Sequence, residues 1–187
     1  AAGVVEAEGM ASYETLVAAC LPQGVMPTVV PQLKSITLGG AVAGVGIEAS
    51  SHRHGLVHES VLELEVLTGD GRIVLCTPHN EHADLFYALP NSYGTLGYAL
   101  RVAARTAPVK RFVRLEHRAF GRGEDCFAAL RDIMRAGEAD FVDGTMFASD
   151  RIFLTLGRFV DEAPYASDYG YLDIYYRSVA AKREDYL

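Results

Sequence analysis

Residues 37–56 read TLGGAVAGVGIEASSHRHGL, and the rest of the chain is understood outward from them. Four of the first ten are glycine (Gly39, Gly40, Gly44 and Gly46) and the spacers are small and apolar. The second half turns abruptly to Ser50, Ser51, His52, Arg53 and His54. Glycine opens positive φ and lets other groups come close to the main chain. The stretch therefore predicts a loop whose N–H groups cradle an anionic ligand, and a poor core. A second glycine turn follows at Asn91-Ser92-Tyr93-Gly94-Thr95-Leu96-Gly97-Tyr98, and two such turns point to one shared ligand.

Other readings of the same residues are weaker. Gly44-Val45-Gly46-Ile47-Glu48-Ala49 fits G-x-G-x-x-G/A, with Glu65 near the place of a ribose-binding acid. A dinucleotide fingerprint must open an amphipathic helix, however, and Ser50 to Gly55 is too polar and glycine-terminated to continue one. Tight turns and close packing explain any single glycine, but less well a cluster followed by Ser-Ser-His-Arg-His. Ser51, His58 and Glu59 lack the G-x-S-x-G elbow of a hydrolase. Glu63 and Glu65 lie on one side of a strand, as acids on the wet face of a half-buried sheet commonly do. His79, His82 and His117 have no ligand spacing, so no metal is expected.

Before the glycine stretch, Ser12 is placed to cap a helix with Leu16, Val17 and Cys20 on its apolar face, ended by Pro22 and Gly24. Val25 to Val30, interrupted by Pro27, reads as a short extended piece. After it, Val61 to Leu67 and Arg72 to Cys76 flank Thr68-Gly69-Asp70-Gly71 as a hairpin. A short helix over 83–89 stops at Pro90, and Ala99 to Thr106 is a strand. Beyond Pro108 the pattern predicts a strand at Phe112 to His117 and a helix at Glu124 to Arg135, with Phe127, Leu130, Ile133 and Met134 on one face. Strands at Phe141 to Phe147 and Ile152 to Phe159 follow. The tail from Asp161 carries Tyr165, Tyr169, Tyr171, Tyr175, Tyr176 and Tyr186. It is expected to cover an apolar sheet and to end in a helix whose packing partner lies outside the chain.

Composition narrows the function classes. Half of the 187 residues are apolar, enough for a substantial core, and the formal net charge of -7 argues against a nucleic-acid partner. Cys20, Cys76 and Cys126 are widely spaced and read as reduced, which points to an intracellular, cytoplasmic location. No apolar run reaches the ~18 residues of a membrane span, and peripheral membrane contact is left open. The chain starts without Met and runs straight into strand-like sequence, so it reads as a fragment.

Three runs together carry a family resemblance: PQLKSITLGGAVAGVGIEASSHRHGL, the strand pair ending in DGRIVLCTP, and DLFYALPNSYGTLGYALRVAARTAPVK. Over residues 1–160 the chain resembles the PCMH-type FAD-binding domain of the vanillyl-alcohol-oxidase superfamily. Within it the likeness is to the 24-dehydrocholesterol reductase group and bacterial FAD-linked oxidase relatives. The resemblance implies an α+β fold, with the second half of the FAD-binding domain at residues 1–107 and the start of a sheet-plus-helix cap or substrate domain at 108–187. It places the first phosphate-binding loop, and any histidine for covalent flavin attachment, upstream of Ala1.

What the resemblance implies about function is an FAD-dependent oxidoreductase. It would transfer hydride to or from flavin N5 on a lipophilic, sterol-like CH–CH substrate, with a nicotinamide or another electron partner. The cofactor contacts carried over are Thr37, Leu38, Gly39, Gly40, Gly44, Gly46, Ile47, Glu48, Ser50, Ser51 and His52 from the first stretch, which would run along the flavin as a loop. Gly94, Thr95, Leu96, Gly97 and Tyr98 come from the second. Glu48, His52 and Tyr93 are candidate proton donors or acceptors without an assigned role, and hydrogen bonding of His52 to its own loop is the stronger reading. The alternative from a different class is a non-catalytic interaction domain that has kept the fold.

Overall fold

Alternation and caps build the first sheet. In the computed structural model, which describes residues 3–169 and 175–187 without the side chains of 175–177, β1 (Val4–Glu8) turns Val5 and Ala7 to the core and Val4, Glu6 and Glu8 outward. Ser12 caps α1 (Tyr13–Cys20), its Oγ accepting from the Thr15 N–H at 3.2 Å. Tyr13, Leu16 and Cys20 are buried along it, and Gly24, at φ 70°, closes the turn that follows. β2 (Val25–Pro27) is as short as its proline suggests.

The glycine stretch departs from expectation. It forms a helix, α2 (Leu38–Gly44), and not a loop, and Leu38, Ala41 and Val42 are part of the core. Three of its seven residues are glycine, which offset the helix propensity of its alanines and leucine. The helix is set by the Thr37 cap and by an antiparallel bridge between Thr37 and Ser12. One further turn, α3 (Ser51–His54), follows. The hairpin β3 (Val61–Leu67) and β4 (Ile73–Cys76) turns at Thr68 to Gly71, where Gly71 has φ 82°. After α4 (Ala83–Ala88), β5 (Tyr98–Pro108) enters the middle of the sheet. The order is β1-β5-β3-β4 with β2 also on β5, all antiparallel. Val42, Leu64, Val66, Leu89 and Val102 are almost wholly buried beneath it, at about 1.5–3 kcal/mol each.

The chain divides into two compact units, Ala1–Val109 and Lys110–Leu187. The second contains β6 (Phe112–Phe120), α5 (Gly123–Ala136), β7 (Phe141–Ala148), β8 (Arg151–Val160) and β9 (Glu184–Tyr186). Its antiparallel sheet runs β7-β8-β6-β9. α5 packs Cys126, Ala129, Leu130 and Ile133 against Ile152 and Leu154. Phe127, expected on that face, is 60% exposed, because the stripe is in phase with Cys126 and Leu130 and leaves the intervening residue about 100° away.

The tail also corrects the sequence reading. Among its described residues the tail has a 3₁₀ turn at Tyr175–Ala181 and the strand β9, paired with β6, and no α-helix, so the partner of β9 is within the chain. Asp185 is fully buried there. It accepts from Ser167 Oγ at 2.6 Å, Tyr169 Oη at 2.5 Å and Lys182 Nζ at 2.7 Å. Tyr165 meets Tyr186 edge-on at 5.3 Å, whereas Tyr171 and the side chains of Tyr175 and Tyr176 lie outside the described residues. The three cysteines are buried and unpaired, and no described helix is long and apolar enough to cross a membrane.

Candidate functional site

The first turn of α2 spends its amides on the protein itself. Leu38 N–H donates to Ala11 O at 2.9 Å, Gly39 N–H to Gly9 O at 2.8 Å and Ala41 N–H to Thr37 O at 2.9 Å. Gly40 N–H donates to Thr37 Oγ1 at 3.3 Å. The open anion cradle expected at Gly39 and Gly40 is therefore not formed by these groups. A Cβ on Gly39 would lie 3.1 Å from Gly9 O and 3.2 Å from Ala99 O, and one on Gly46 would lie 2.8 Å from Val57 Cγ2. Both glycines are needed for close packing within the unit.

The two glycine segments nevertheless meet. Val45, a β-branched residue at φ 57°, ends α2 at a backbone cost of about 1–3 kcal/mol. The second turn contains Asn91, Tyr93, Gly94 and Gly97, all with positive φ. Tyr93 N–H donates to Ala43 O at 3.2 Å and so ties that turn to the end of α2. Between them lies a cavity of about 790 Å³. Thr37, Gly39, Gly40, Ala43 and Gly44 form one wall, and Tyr93, Gly94, Gly97 and Tyr98 form another.

Nine of the sixteen residues drawn from sequence stand apart from this cavity. Leu38 is core, and Ile47 is 71% exposed. Gly46 packs on Val57. Ser50 Oγ donates to Thr28 O at 2.8 Å, and Ser51 Oγ accepts from Glu48 N–H at 2.9 Å. His52 Nδ1 lies 3.1 Å from Ala49 O, on its own loop. Thr95 Oγ1 donates to Ser92 O at 2.7 Å, and Leu96 is half-exposed. The lining residues that sequence reasoning missed are Glu8, Gly9, Met10, Ala43, Leu67, Ala99 and Leu100. Ala43 comes from α2 and Leu67 from the end of β3, while Glu8 to Met10 and Ala99 to Leu100 are brought together where β1 pairs with β5 and Gly9 N–H donates to Leu100 O at 2.7 Å; of these residues only Gly9 carried a local signal.

The chemistry of the lining is specific. Glu8 is its one charged side chain, and among the described lining residues there is no Lys, Arg or His. The amides of Gly94 and Gly97 find no acceptor among the described residues. A Cβ on Gly44 would meet nothing within 4 Å. Apolar walls, tyrosine faces and free N–H donors suit a flat, polar-edged ring, while a diphosphate needs cations or a fuller nest of amides. Tyr13 is buried in the core of the unit; burial, and to a lesser degree the Glu48 charge, push its phenol well above the usual range. Ser51, His58 and Glu59 form no triad, since Ser51 holds Glu48 N–H and Glu59 holds Leu56 N–H at 2.6 Å. Glu65 is ion-paired to Arg101 at 3.2 Å, and Arg101 also to Glu6.

Comparison with known proteins bears on the same residues. Residues 1–77 match the family described as "FAD binding domain". The chain is 37% identical over 135 residues to Delta(24)-sterol reductase of Homo sapiens, covering 72% of this chain and 26% of that protein. It is 34% identical over 160 residues to the Mus musculus Delta(24)-sterol reductase, covering 85% and 31%. It is 31% identical over 153 residues to Cytokinin dehydrogenase 1 of Oryza sativa subsp. japonica, covering 79% and 29%. The chain thus spans between 26% and 31% of the length of these relatives.

Proposed function

Residues 1–77 belong to the FAD binding domain family, and on that premise we propose that the chain is the flavin-ring side of an FAD-dependent oxidoreductase acting on a lipophilic, sterol-like CH–CH substrate. Residues 1–107 are read as part of the FAD-binding domain and 108–187 as the start of a cap or substrate domain. The observation that carries the proposal is the convergence of both glycine segments on one apolar cavity with unpaired Gly94 and Gly97 amides. Similarity to Delta(24)-sterol reductases supports the substrate class.

When bound, FAD supplies the hydride acceptor or donor of the reaction. The residues of this chain do the positioning. Gly94 and Gly97 N–H groups would donate to ring oxygens, and the bare Gly44 position would leave room for the ring edge. Tyr93, Tyr98, Met10 and Leu100 would exclude water and accept an apolar substrate body. Glu8 would hold or take a proton at the cavity wall, and its charge keeps the diphosphate away from this side. The diphosphate and adenosine would then be held by sequence beyond these residues, and a nicotinamide or another donor would supply electrons.

The test is spectroscopic. A natural protein containing this segment is expected to be isolated with oxidised-flavin absorption bands that bleach with reduced nicotinamide or with a CH–CH substrate. A folded, active protein without flavin would overturn the proposal.

A further inference from the structure

A second cavity, of about 470 Å³ and sharing no lining residue with the first, opens on the other flank of α2 in the same unit. Its walls are Val42, Val61, Leu64, Phe86, Tyr87, Pro78 and Pro90. Val42, Val61, Leu64 and Phe86 are core residues, so the apolar floor is rigid.

Three polar side chains reach this floor: His58, Glu59 and Arg105. Glu59 is turned back into its own loop. Its Oε2 accepts from Leu56 N–H at 2.6 Å and lies 2.5 Å from where a Cβ on Gly55 would be. Arg105 projects from β5 and donates from Nη1 to Glu59 O at 3.1 Å. No carboxylate pairs with it among the described residues. His58 Nδ1 is sealed from water and has no hydrogen-bond partner among the described residues. Arg105 is exposed, so its guanidinium is open to a ligand at the mouth of an apolar cavity, and the His58 ring beside it is a reporter of that wall.

We propose that this second cavity binds a small monocarboxylate with an apolar body, its carboxylate held by Arg105 and its body laid on Phe86, Tyr87 and Pro90. A carboxylate matches the guanidinium fork with two parallel hydrogen bonds. A cation would be repelled by Arg105, and a phosphate would need more donors than one arginine offers. The volume lies within the range of small-molecule sites. This site is independent of flavin binding at the first cavity.

The experiment titrates the chain with phenylacetate and octanoate, and in parallel with the neutral phenylacetamide and octanamide, by calorimetry and by NMR of the His58 ring protons. The acids are expected to bind and to shift the His58 signals, with the amides weaker by roughly tenfold or more, as loss of a charge-assisted contact implies. Arg105→Met is expected to weaken the acids by a similar factor without affecting the amides, and Arg105→Lys to restore part of the loss. Flavin absorption is expected to be unchanged by either substitution. Equal binding of acid and amide, full acid affinity in Arg105→Met, or no acid binding by the wild-type chain would each overturn the assignment. Should Arg105→Met fail to fold, the acid–amide comparison and Arg105→Lys still decide it.

Discussion

Replacing Gly44 separates a ligand site from a packing site more cleanly than replacing any other glycine of the chain. Gly44 is the last residue of α2, has no positive φ, and a Cβ there meets nothing within 4 Å. Gly44→Ala is therefore expected to leave the apo protein as stable as before, or more stable by up to about 1 kcal/mol from helix propensity. Gly44→Leu adds a branched chain at the wall of the 790 Å³ cavity and is expected to fold as well as Gly44→Ala. With FAD at about a hundred times its Kd, the wild type gains about 2.7 kcal/mol from binding, or roughly 5–10 °C in Tm for a chain of this length. Thermal unfolding with and without FAD reads both effects. In Gly44→Leu the ligand-induced rise is expected to vanish while the apo Tm holds. A leucine variant that keeps the full FAD-induced rise, or an alanine variant that unfolds, would refute the reasoning.

Gly97→Ala is expected to disrupt the second turn, because φ is 150° and the added Cβ would lie 2.6 Å from Leu67 O; hydrogen exchange at residues 91–98 should rise with little change in the second unit. Asp185→Ala removes a buried carboxylate that holds Ser167, Tyr169 and Lys182, and urea unfolding should show a loss of about 3–5 kcal/mol, the range for breaking a buried pair. His117 is buried against Thr155 Oγ1 at 2.9 Å, and desolvation lowers its pKa, opposed by the charge of Asp185. The unfolded chain then binds this proton more readily, so the stability tied to His117 is complete above its unfolded pKa of about 6.5 and declines as pH falls below it. Urea midpoints at pH 7.5 and 5.5 should fall in the wild type and fall less in His117→Gln.

Elements specified by local chemistry were legible in the sequence. Ser12 caps a helix and Asp70-Gly71 turns a hairpin because side chains within a few residues satisfy the backbone there; Asp70, for instance, is held at a pKa of about 2, first by the Thr68 hydroxyl and then by Arg72. The pattern of β6, β7 and β8 was equally local in origin. α2 was not legible as a helix, because three glycines in seven residues offset the propensity of its alanines and leucine and the partners that hold it, Gly9 O and Ala11 O, are nearly thirty residues away. The share of the cavity wall from Glu8 to Met10 and from Ala99 to Leu100 was hidden for the same reason, since it exists only once β1 pairs with β5. β9 was lost in the tyrosine-rich tail, as three residues are too few to show alternation.

The glycines themselves can be sorted by what lies against them, and this decides how much of the motif speaks for a ligand. A Cβ on Gly9 would lie 1.9 Å from Ala99 O, and those on Gly39, Gly46 and Gly97 would meet backbone or core atoms at 3.1, 2.8 and 2.6 Å. The fold alone requires these four. Gly40 sits against its own cap, with Thr37 Oγ1 at 2.8 Å, and Gly94 is required by its φ of 82°. Gly44 has neither crowding nor a special dihedral, and glycine in a helix costs up to about 1 kcal/mol relative to alanine. The fold gives no reason for glycine there, and the residue lines the cavity where both glycine segments converge. The literal glycine pattern is thus mostly a packing signature, and its argument for a bound ring rests on Gly44.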